Sequence, residues 1–136
     1  MQLNPYLLFN GQCEAAFKLY EQCLGGKIDM MQTHGESPMA AEVPPEWSSR
    51  IMHARMTVGD YVLMGSDTPP QHYETPQGFS VALHFDDPAE AERVFNALAE
   101  NGTVKMPLQQ TFWAFRFGML TDQFGVHWMV NCEKAA

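Results

Sequence analysis

Residues 79–102, "FSVALHFDDPAEAERVFNALAENG", carry the signals of a strand followed directly by a helix. The apolar run 79–85 predicts a strand. Asp87 can cap a helix that begins with Pro88, and apolar residues then recur at helical spacing up to Gly102. We therefore expect a helix over 89–101, whose buried positions are Ala91, Val94, Phe95 and Leu98.

The same order of signals occurs about 75 residues earlier in the chain. A strand at 5–9 and a turn precede a helix with Ala16, Leu19, Tyr20 and Cys23, which ends at the glycines of 24–26. Each copy continues into strands that end in a hairpin, over 51–67 and over 112–131. The repeat indicates one domain built from module one, about 1–67, a Pro-rich joint, about 68–78, and module two, about 79–136, with a cleft between the copies.

The composition is that of a globular chain, with 136 residues of which 46% are hydrophobic. The net charge of -8, with only 8 Lys and Arg, disfavours nucleic acid and anionic membrane surfaces as partners. Three widely spaced cysteines without a C-x-x-C motif favour reduced thiols. The sequence begins without a basic segment followed by a long apolar run, so we expect a cytoplasmic protein.

Three stretches carry a family resemblance: "NPYLLFNGQCEAAFKLYEQCLGG" (4–26), "IMHARMTVGDYVLMGSD" (51–67) and "QQTFWAFRFGMLTDQFGVHWMVN" (109–131). They resemble the vicinal oxygen chelate superfamily of glyoxalase I, extradiol dioxygenases and bleomycin-resistance proteins. Within it the chain is most similar to the PhnB-like family, which also bears the label 3-demethylubiquinone-9 3-methyltransferase. The resemblance implies an α+β fold of two tandem βαβββ modules, with curved mixed sheets around a cleft, and a homodimer.

Metal-dependent members of that superfamily hold an ion with one His or Glu from each of four strands. The resemblance places these four positions near Asn4, Met64, Ser80 and Met129. An amide, a hydroxyl and two thioethers are weak or soft ligands that do not suit zinc, nickel or iron. We therefore expect neither a catalytic metal nor another cofactor.

Strand alternation predicts which residues face the cleft. A hairpin with Val58 opposite Tyr61 places His53, Arg55 and Met64 on one face and Ala54, Met56 and Leu63 on the other. The same rule turns Ser80, Ala82 and His84 inward. A last turn over 122–125 that pairs Thr121 with Val126 would place Arg116 on the same face as Met129.

The predicted ligand-binding residues are His53, Arg55, Met64, Ser80, His84, Phe112, Trp113, Arg116 and Met129. Adaptable Met side chains with a few polar groups suit a small organic ligand, so the first interpretation is a metal-free small-molecule-binding protein. The alternatives are a metal-independent enzyme in which His53 or His84 acts as acid or base, and a structural dimer with a vestigial cleft. "FNGQCE" (9–14) is a poor match to an S-adenosylmethionine site, so methyltransferase activity is not expected.

The role of two further segments stays open in the sequence. The segment 32–50 is rich in Pro, Ser, Gly and Glu and is predicted to be a long exposed loop, which would lie over the cleft if it acts as a lid. The aromatic residues near 112–117 equally fit core or dimer packing, because aromatic side chains bury large areas.

Overall fold

The computed structural model describes residues 1–134, which form two compact units, Met1–Glu74 and a second beginning at Thr75. The first unit contains β1 (Tyr6–Phe9), α1 (Cys13–Leu24), β2 (Lys27–Thr33), β3 (Ile51–Val58) and β4 (Tyr61–Asp67). The second contains β5 (Val81–Phe85), α2 (Pro88–Ala99), β6 (Thr103–Gln109), β7 (Arg116–Thr121) and β8 (His127–Cys132). Short 3₁₀ turns lie at His34–Glu36, Ala40–Glu42, Pro45–Trp47 and Pro70–His72.

Each unit is built on a mixed four-stranded sheet with the same strand order, β1-β4-β3-β2 in the first and β5-β8-β7-β6 in the second. One neighbouring pair in each sheet is parallel, β1 with β4 and β5 with β8, and the others are antiparallel. The predicted α+β fold of two βαβββ modules is confirmed.

Both predicted helices form, each 12 residues long. Asp87 caps α2 by accepting a hydrogen bond from the Ala89 amide at 3.1 Å. Gly25 ends α1 in the left-handed conformation, with φ of 69°. After α2 the residue in the left-handed conformation is Asn101 and not Gly102. A glycine is needed at 102 for another reason: the Thr121 carbonyl lies where a Cβ would be.

Each helix covers one face of the sheet of its own unit. In the first unit the buried side chains of α1 include Ala16, Phe17, Tyr20 and Cys23, and those of the sheet include Leu7, Phe9, Ala54, Met56 and Leu63. In the second unit α2 buries Ala91, Val94, Phe95 and Leu98, and the sheet buries Leu120, Trp128, Val130 and Cys132. Burial of this apolar set is the main stabilising contribution to each unit.

The register of the β3–β4 hairpin agrees with the prediction. Val58 pairs with Tyr61 and Arg55 pairs with Met64, so the Gly59-Asp60 connection is a two-residue turn. Gly59 has φ of +58°, a value that such turns require at their central positions.

The predicted register of the last hairpin is wrong by one residue. Thr121 pairs with His127 and not with Val126, so Arg116 pairs with Cys132. The longer turn is held by the Asp122 carboxylate, which accepts hydrogen bonds from the amides of Phe124 at 2.8 Å and Val126 at 3.0 Å. Because side chains alternate along a strand, this one step moves Arg116 to the face that α2 covers.

Two predicted segment boundaries also change. The final hairpin begins at Arg116, so Phe112 and Trp113 lie in the connection between β6 and β7 and not on a strand. The segment 32–50 is less irregular than predicted, because β2 extends to Thr33 and three 3₁₀ turns follow. Its two ends are joined by backbone hydrogen bonds, from the His34 amide to the Arg50 carbonyl and from the Gly35 amide to the Ser48 carbonyl.

Candidate functional site: the sheet faces opposite the helices

We call the surface of each sheet that its own helix covers the helix face, and the other surface the opposite face. Side chains paired across neighbouring strands point to the same face, so the strand registers assign every position. In the first unit the opposite face carries Tyr6, Leu8, Lys27, Met30, Gln32, His53, Arg55, Thr57, Val62, Met64 and Ser66. In the second it carries Ala82, His84, Met106, Gln109, Phe117, Met119, Thr121, His127, Met129 and Asn131.

In the first unit, His53 is held by Tyr6. A hydrogen bond of 3.2 Å joins the Tyr6 hydroxyl to Nδ1 of His53, and the two rings are stacked with centroids 5.8 Å apart. The contact links β1 to β3 across β4, on which Met64 lies between them. Three of the predicted site residues, His53, Arg55 and Met64, therefore share this face.

Arg55 is an exposed cation in the middle of that face. It pairs with Met30 on one side and Met64 on the other, and within residues 1–134 its guanidinium makes no hydrogen bond or ion pair. Two other cations are engaged: Lys18 pairs with Glu14, and Arg50 donates to the Gly11 carbonyl at 2.9 Å. An unpaired guanidinium flanked by two thioethers can bind a carboxylate or another planar anion.

In the second unit, His84 and Asn131 form the corresponding polar pair. They occupy paired positions on β5 and β8, and Nδ2 of Asn131 lies 3.3 Å from Nδ1 of His84. His84 is exposed, whereas Asn131 is 8% exposed. The half-buried side chains of Met129, Phe117 and Met119 surround the pair on the same face.

The oxygen of the Asn131 side chain is the one buried side-chain polar atom without a hydrogen-bond partner in the described chain, residues 1–134. Leaving a buried polar atom unpaired costs about 1–3 kcal/mol. Sequence reasoning did not select Asn131 as a site residue. The available signal was a polar residue within the apolar run "HWMVNC" (127–132).

His127, on the same face, is fully engaged in the structure. Its Nδ1 lies 2.8 Å from the Thr121 hydroxyl and its Nε2 lies 2.7 Å from the Pro76 carbonyl. A carbonyl can only accept, so Nε2 carries the proton and Nδ1 accepts from Thr121. One ring nitrogen joins the two ends of the β7–β8 turn and the other holds the segment before β5, so His127 is a structural histidine.

The remaining predicted site residues do not all join these faces. Ser80 lies just before β5, two residues from Ala82 along the chain. Arg116 lies on the helix face of β7, where its guanidinium lies 4.2 Å from the centre of the Phe115 ring and donates to the Phe115 carbonyl. Phe112 and Trp113 contact each other edge to face in the connection before β7, and Trp113 also contacts Phe117.

The donor chemistry does not fit the metal site that the family implies. Met64 and Met129 lie on the opposite faces, in register with Tyr6 and Ala82, and the Met64 amide donates to the Pro5 carbonyl next to Asn4. Thioether, amide and hydroxyl groups are poor ligands for divalent zinc, nickel or iron. Within residues 1–134, no three His, Cys, Asp or Glu side chains are grouped so that they could hold a metal ion.

The three cysteines are buried and lie away from the opposite faces. Burial raises the pKa of the Cys13 thiol well above its usual range, and the neighbouring Asp67 carboxylate raises it further. Asp67 is itself fixed by the amides of Cys13 at 2.9 Å and Ile51 at 2.8 Å. A protonated buried thiol is a poor nucleophile, so Cys13 belongs to the core.

Comparison with known proteins identifies the class to which this fold belongs. The family model of the Glyoxalase/Bleomycin resistance protein/Dioxygenase superfamily matches residues 2–130. The chain belongs to that superfamily. In the part of the chain that the structure describes, no helix has the length and apolar character needed to span a bilayer.

Similarity to individual proteins narrows the position of the chain within the superfamily. It is 36% identical to the protein YjdN of Escherichia coli K12, covering 98% of this chain and 97% of that protein. It is 54% identical to the crystallised protein PA1353 from Pseudomonas aeruginosa, with a TM-score of 0.91 and 99% of both chains covered. The PhnB protein from Bacillus cereus, at 23% identity, has the same fold with a TM-score of 0.83 over 97% of this chain and 99% of that one. The chain is thus a YjdN-like member of the superfamily and shares its fold with the PhnB protein.

Proposed function

We propose that this chain is a small-molecule-binding protein that holds an organic ligand on the opposite faces of its sheets without a metal ion. The observation that carries the proposal is the make-up of those faces. Half-buried methionines and Phe117 lie there with the more exposed Tyr6 and Met30 and a few hydrogen-bonding groups, which is the composition of a ligand site and not of a solvated sheet surface.

The first unit favours a ligand with an anionic or strongly polar end. Arg55 keeps an unpaired positive charge although the chain has a net charge of -8 and 16 acidic residues. The flexible side chains of Met30 and Met64 beside it can pack against an apolar or aromatic group of variable shape. An aromatic carboxylate combines both properties.

Isothermal titration calorimetry with sodium benzoate tests this proposal. Arg55→Met should weaken benzoate binding by about tenfold or more, because a charge-assisted hydrogen bond is lost. Arg93→Met is the matched control: it removes the same charge from the exposed surface of α2, where Arg93 pairs with Glu90, and should leave binding unchanged. Equal loss in both variants, or a dissociation constant weaker than about 10 mM in the unmodified chain, would contradict the proposal.

A second candidate is a metal-independent enzyme, and the Tyr6–His53 contact favours it. A hydroxyl that orients one ring nitrogen leaves the other directed elsewhere, which is the arrangement of an acid or base. If a reaction is found, His53→Gln should abolish it while benzoate binding is kept. An activity that survives both His53→Gln and His84→Gln would eliminate this candidate.

We also propose a homodimer, which the superfamily resemblance implies. The exposed aromatic pair in the β6–β7 connection supports it, since Phe112 is 97% and Trp113 49% exposed. Sedimentation velocity should show a dimer for the unmodified chain and a shift to monomer for a Phe112→Asp, Trp113→Asp double variant. A monomer in the unmodified chain would refute the dimer and with it the structural-dimer interpretation.

A further inference from the structure

His84 and Asn131 are arranged so that the position of the imidazole proton is fixed. Nδ2 of Asn131 lies 3.3 Å from Nδ1 of His84. An amide nitrogen can only donate, so the neutral imidazole must accept at Nδ1. The ring proton then lies on Nε2.

Nε2 of His84 is available to another molecule. The His84 side chain is exposed, and among residues 1–134 its Nε2 makes no hydrogen bond. By contrast, both nitrogens of His127 on the same face are occupied. The second unit therefore presents one oriented imidazole N–H donor on its opposite face.

The burial of Asn131 has no structural advantage of its own. The side chain is 8% exposed, yet its Oδ1 has no partner in the described chain, and its single hydrogen bond is the one to His84. An apolar residue of the same shape would avoid the cost of the unpaired oxygen. What Asn131 gives that a leucine would not is control over the His84 ring.

We infer that Asn131 is a positioning residue that holds His84 as an Nε2–H donor, and that His84 donates this hydrogen bond to a carbonyl or carboxylate oxygen of the bound ligand. The inference rests on the proposed function, because it assigns one polar contact of the ligand on the second unit. Sequence reasoning singled out His84 without its partner. A carbonyl and a carboxylate both offer an oxygen that can accept this hydrogen bond.

Long-range ¹H–¹⁵N correlation spectra of the histidine rings test the positioning role directly. At about pH 8 an ordinary histidine is neutral, and the spectra report which ring nitrogen is protonated. His84, assigned by the loss of its signals in His84→Phe, should be protonated at Nε2. Asn131→Asp should reverse the tautomer because a carboxylate only accepts, and Asn131→Leu should leave a mixture of both tautomers. Protonation at Nδ1, or a mixture, in the unmodified chain would overturn the inference.

Thermal unfolding separates positioning from packing. Asn131→Leu should raise the melting temperature by about 2–6 °C, because it removes a buried polar atom without a partner. A lower melting temperature would show that Asn131 stabilises the fold and would overturn the positioning role.

Binding of two probes tests the ligand contact. His84→Phe and Asn131→Leu should each weaken binding of N,N-dimethylbenzamide, sodium benzoate or both by about tenfold. If only N,N-dimethylbenzamide binds more weakly, the group that accepts from His84 is a carbonyl. If only benzoate binds more weakly, that group is a carboxylate. Unchanged affinity for both probes, or no binding of either to the unmodified chain, would overturn the contact at His84. If benzoate binding depends on Arg55 but not on His84 or Asn131, the proposed function stands and only the inference about His84 fails. The failure of the inference can therefore be told apart from the failure of the proposed function.

Discussion

The two faces of each sheet use their residues in opposite ways. On the helix face the side chains are closely packed: the buried Trp128 indole donates a hydrogen bond to the Asp122 carboxylate, and Gly118 lets the Phe95 ring of α2 approach the strand. On the opposite face Arg55 has no described partner and Asn131 keeps an unpaired oxygen. Under the proposed function, the helix face supplies stability, whereas Arg55 and Asn131 on the opposite face are kept for contacts with a ligand.

The largest effect should follow from removing the carboxylate that supports the last hairpin. Asp122→Ala leaves the amides of Phe124 and Val126 and the Trp128 indole N–H without their acceptor, so we expect a loss of about 3–5 kcal/mol in the free energy of unfolding. Urea denaturation measures it. Asp86→Ala, at an exposed position, should change stability by less than about 0.5 kcal/mol. Equal effects of the two would show that Asp122 does not hold the turn.

A smaller loss is expected from crowding the helix face. A Cβ at Gly118 would lie 2.7 Å from Cε2 of Phe95 and 3.0 Å from the Leu108 Cα, so Gly118→Ala should cost about 1–3 kcal/mol. Ala82→Val is the matched enlargement on the opposite face of the same sheet, at an exposed position, and should cost less than about 0.5 kcal/mol. Chemical denaturation gives the free energy of unfolding of both variants. A larger loss for Ala82→Val than for Gly118→Ala would contradict our assignment of the two faces.

The buried thiol of the first unit predicts a pH dependence of stability. The pKa of Cys13 is raised in the folded chain, so above about pH 8.5 the unfolded chain loses a proton that the folded chain keeps. Stability should then fall as pH rises, with a contribution from Cys13 of up to about 1.4 kcal/mol per pH unit. Urea denaturation between pH 8 and pH 10 should show a steeper decline for the unmodified chain than for Cys13→Ala. Parallel declines would mean that the thiol ionises as readily in the folded chain as in the unfolded one.

The smallest effect on stability should come from the opposite face of the first unit. Arg55 is exposed and unpaired in the described chain, so Arg55→Met should change the free energy of unfolding by less than about 0.5 kcal/mol. The same denaturation series measures it. A larger loss would mean that Arg55 contributes to folding, and its value as a binding group would have to be reconsidered.

The sequence predicted the features that depend on local signals. The apolar positions of α2, the Asp87 cap and the two-residue turn at Gly59-Asp60 follow from short patterns, and each is found in the structure. In α1 the predicted Ala16, Tyr20 and Cys23 are buried. Leu19 is only half-buried, and Phe17, which the pattern did not include, is fully buried. The resemblance added the βαβββ order of elements along each module, which is confirmed. These features fix the opposite face of the first unit, with His53, Arg55 and Met64 on it.

The features that sequence reasoning missed depend on hydrogen bonds made by particular side chains. The last turn is one residue longer than its Gly and Asp suggest because the Asp122 carboxylate supports it, and the face of Arg116 changed with it. The pairing of Asn131 with His84 required the register between β5 and β8, which are far apart in the chain. The Asp122 contact is local and is of the kind that Asp makes in turns, whereas no local pattern encodes the contact between Asn131 and His84.

The central claim, that the opposite faces bind an organic ligand, is tested most directly by NMR of the methionine methyl groups. Met30, Met64, Met119 and Met129 lie on the opposite faces, whereas Met56 is fully buried on a helix face and serves as the internal reference. In chains carrying ¹³C-methyl methionine, aromatic carboxylates and carboxamides should shift the signals of Met64 or Met129 and leave Met56 in place. Shifts confined to Met56, or no shift with any member of that series, would contradict the account.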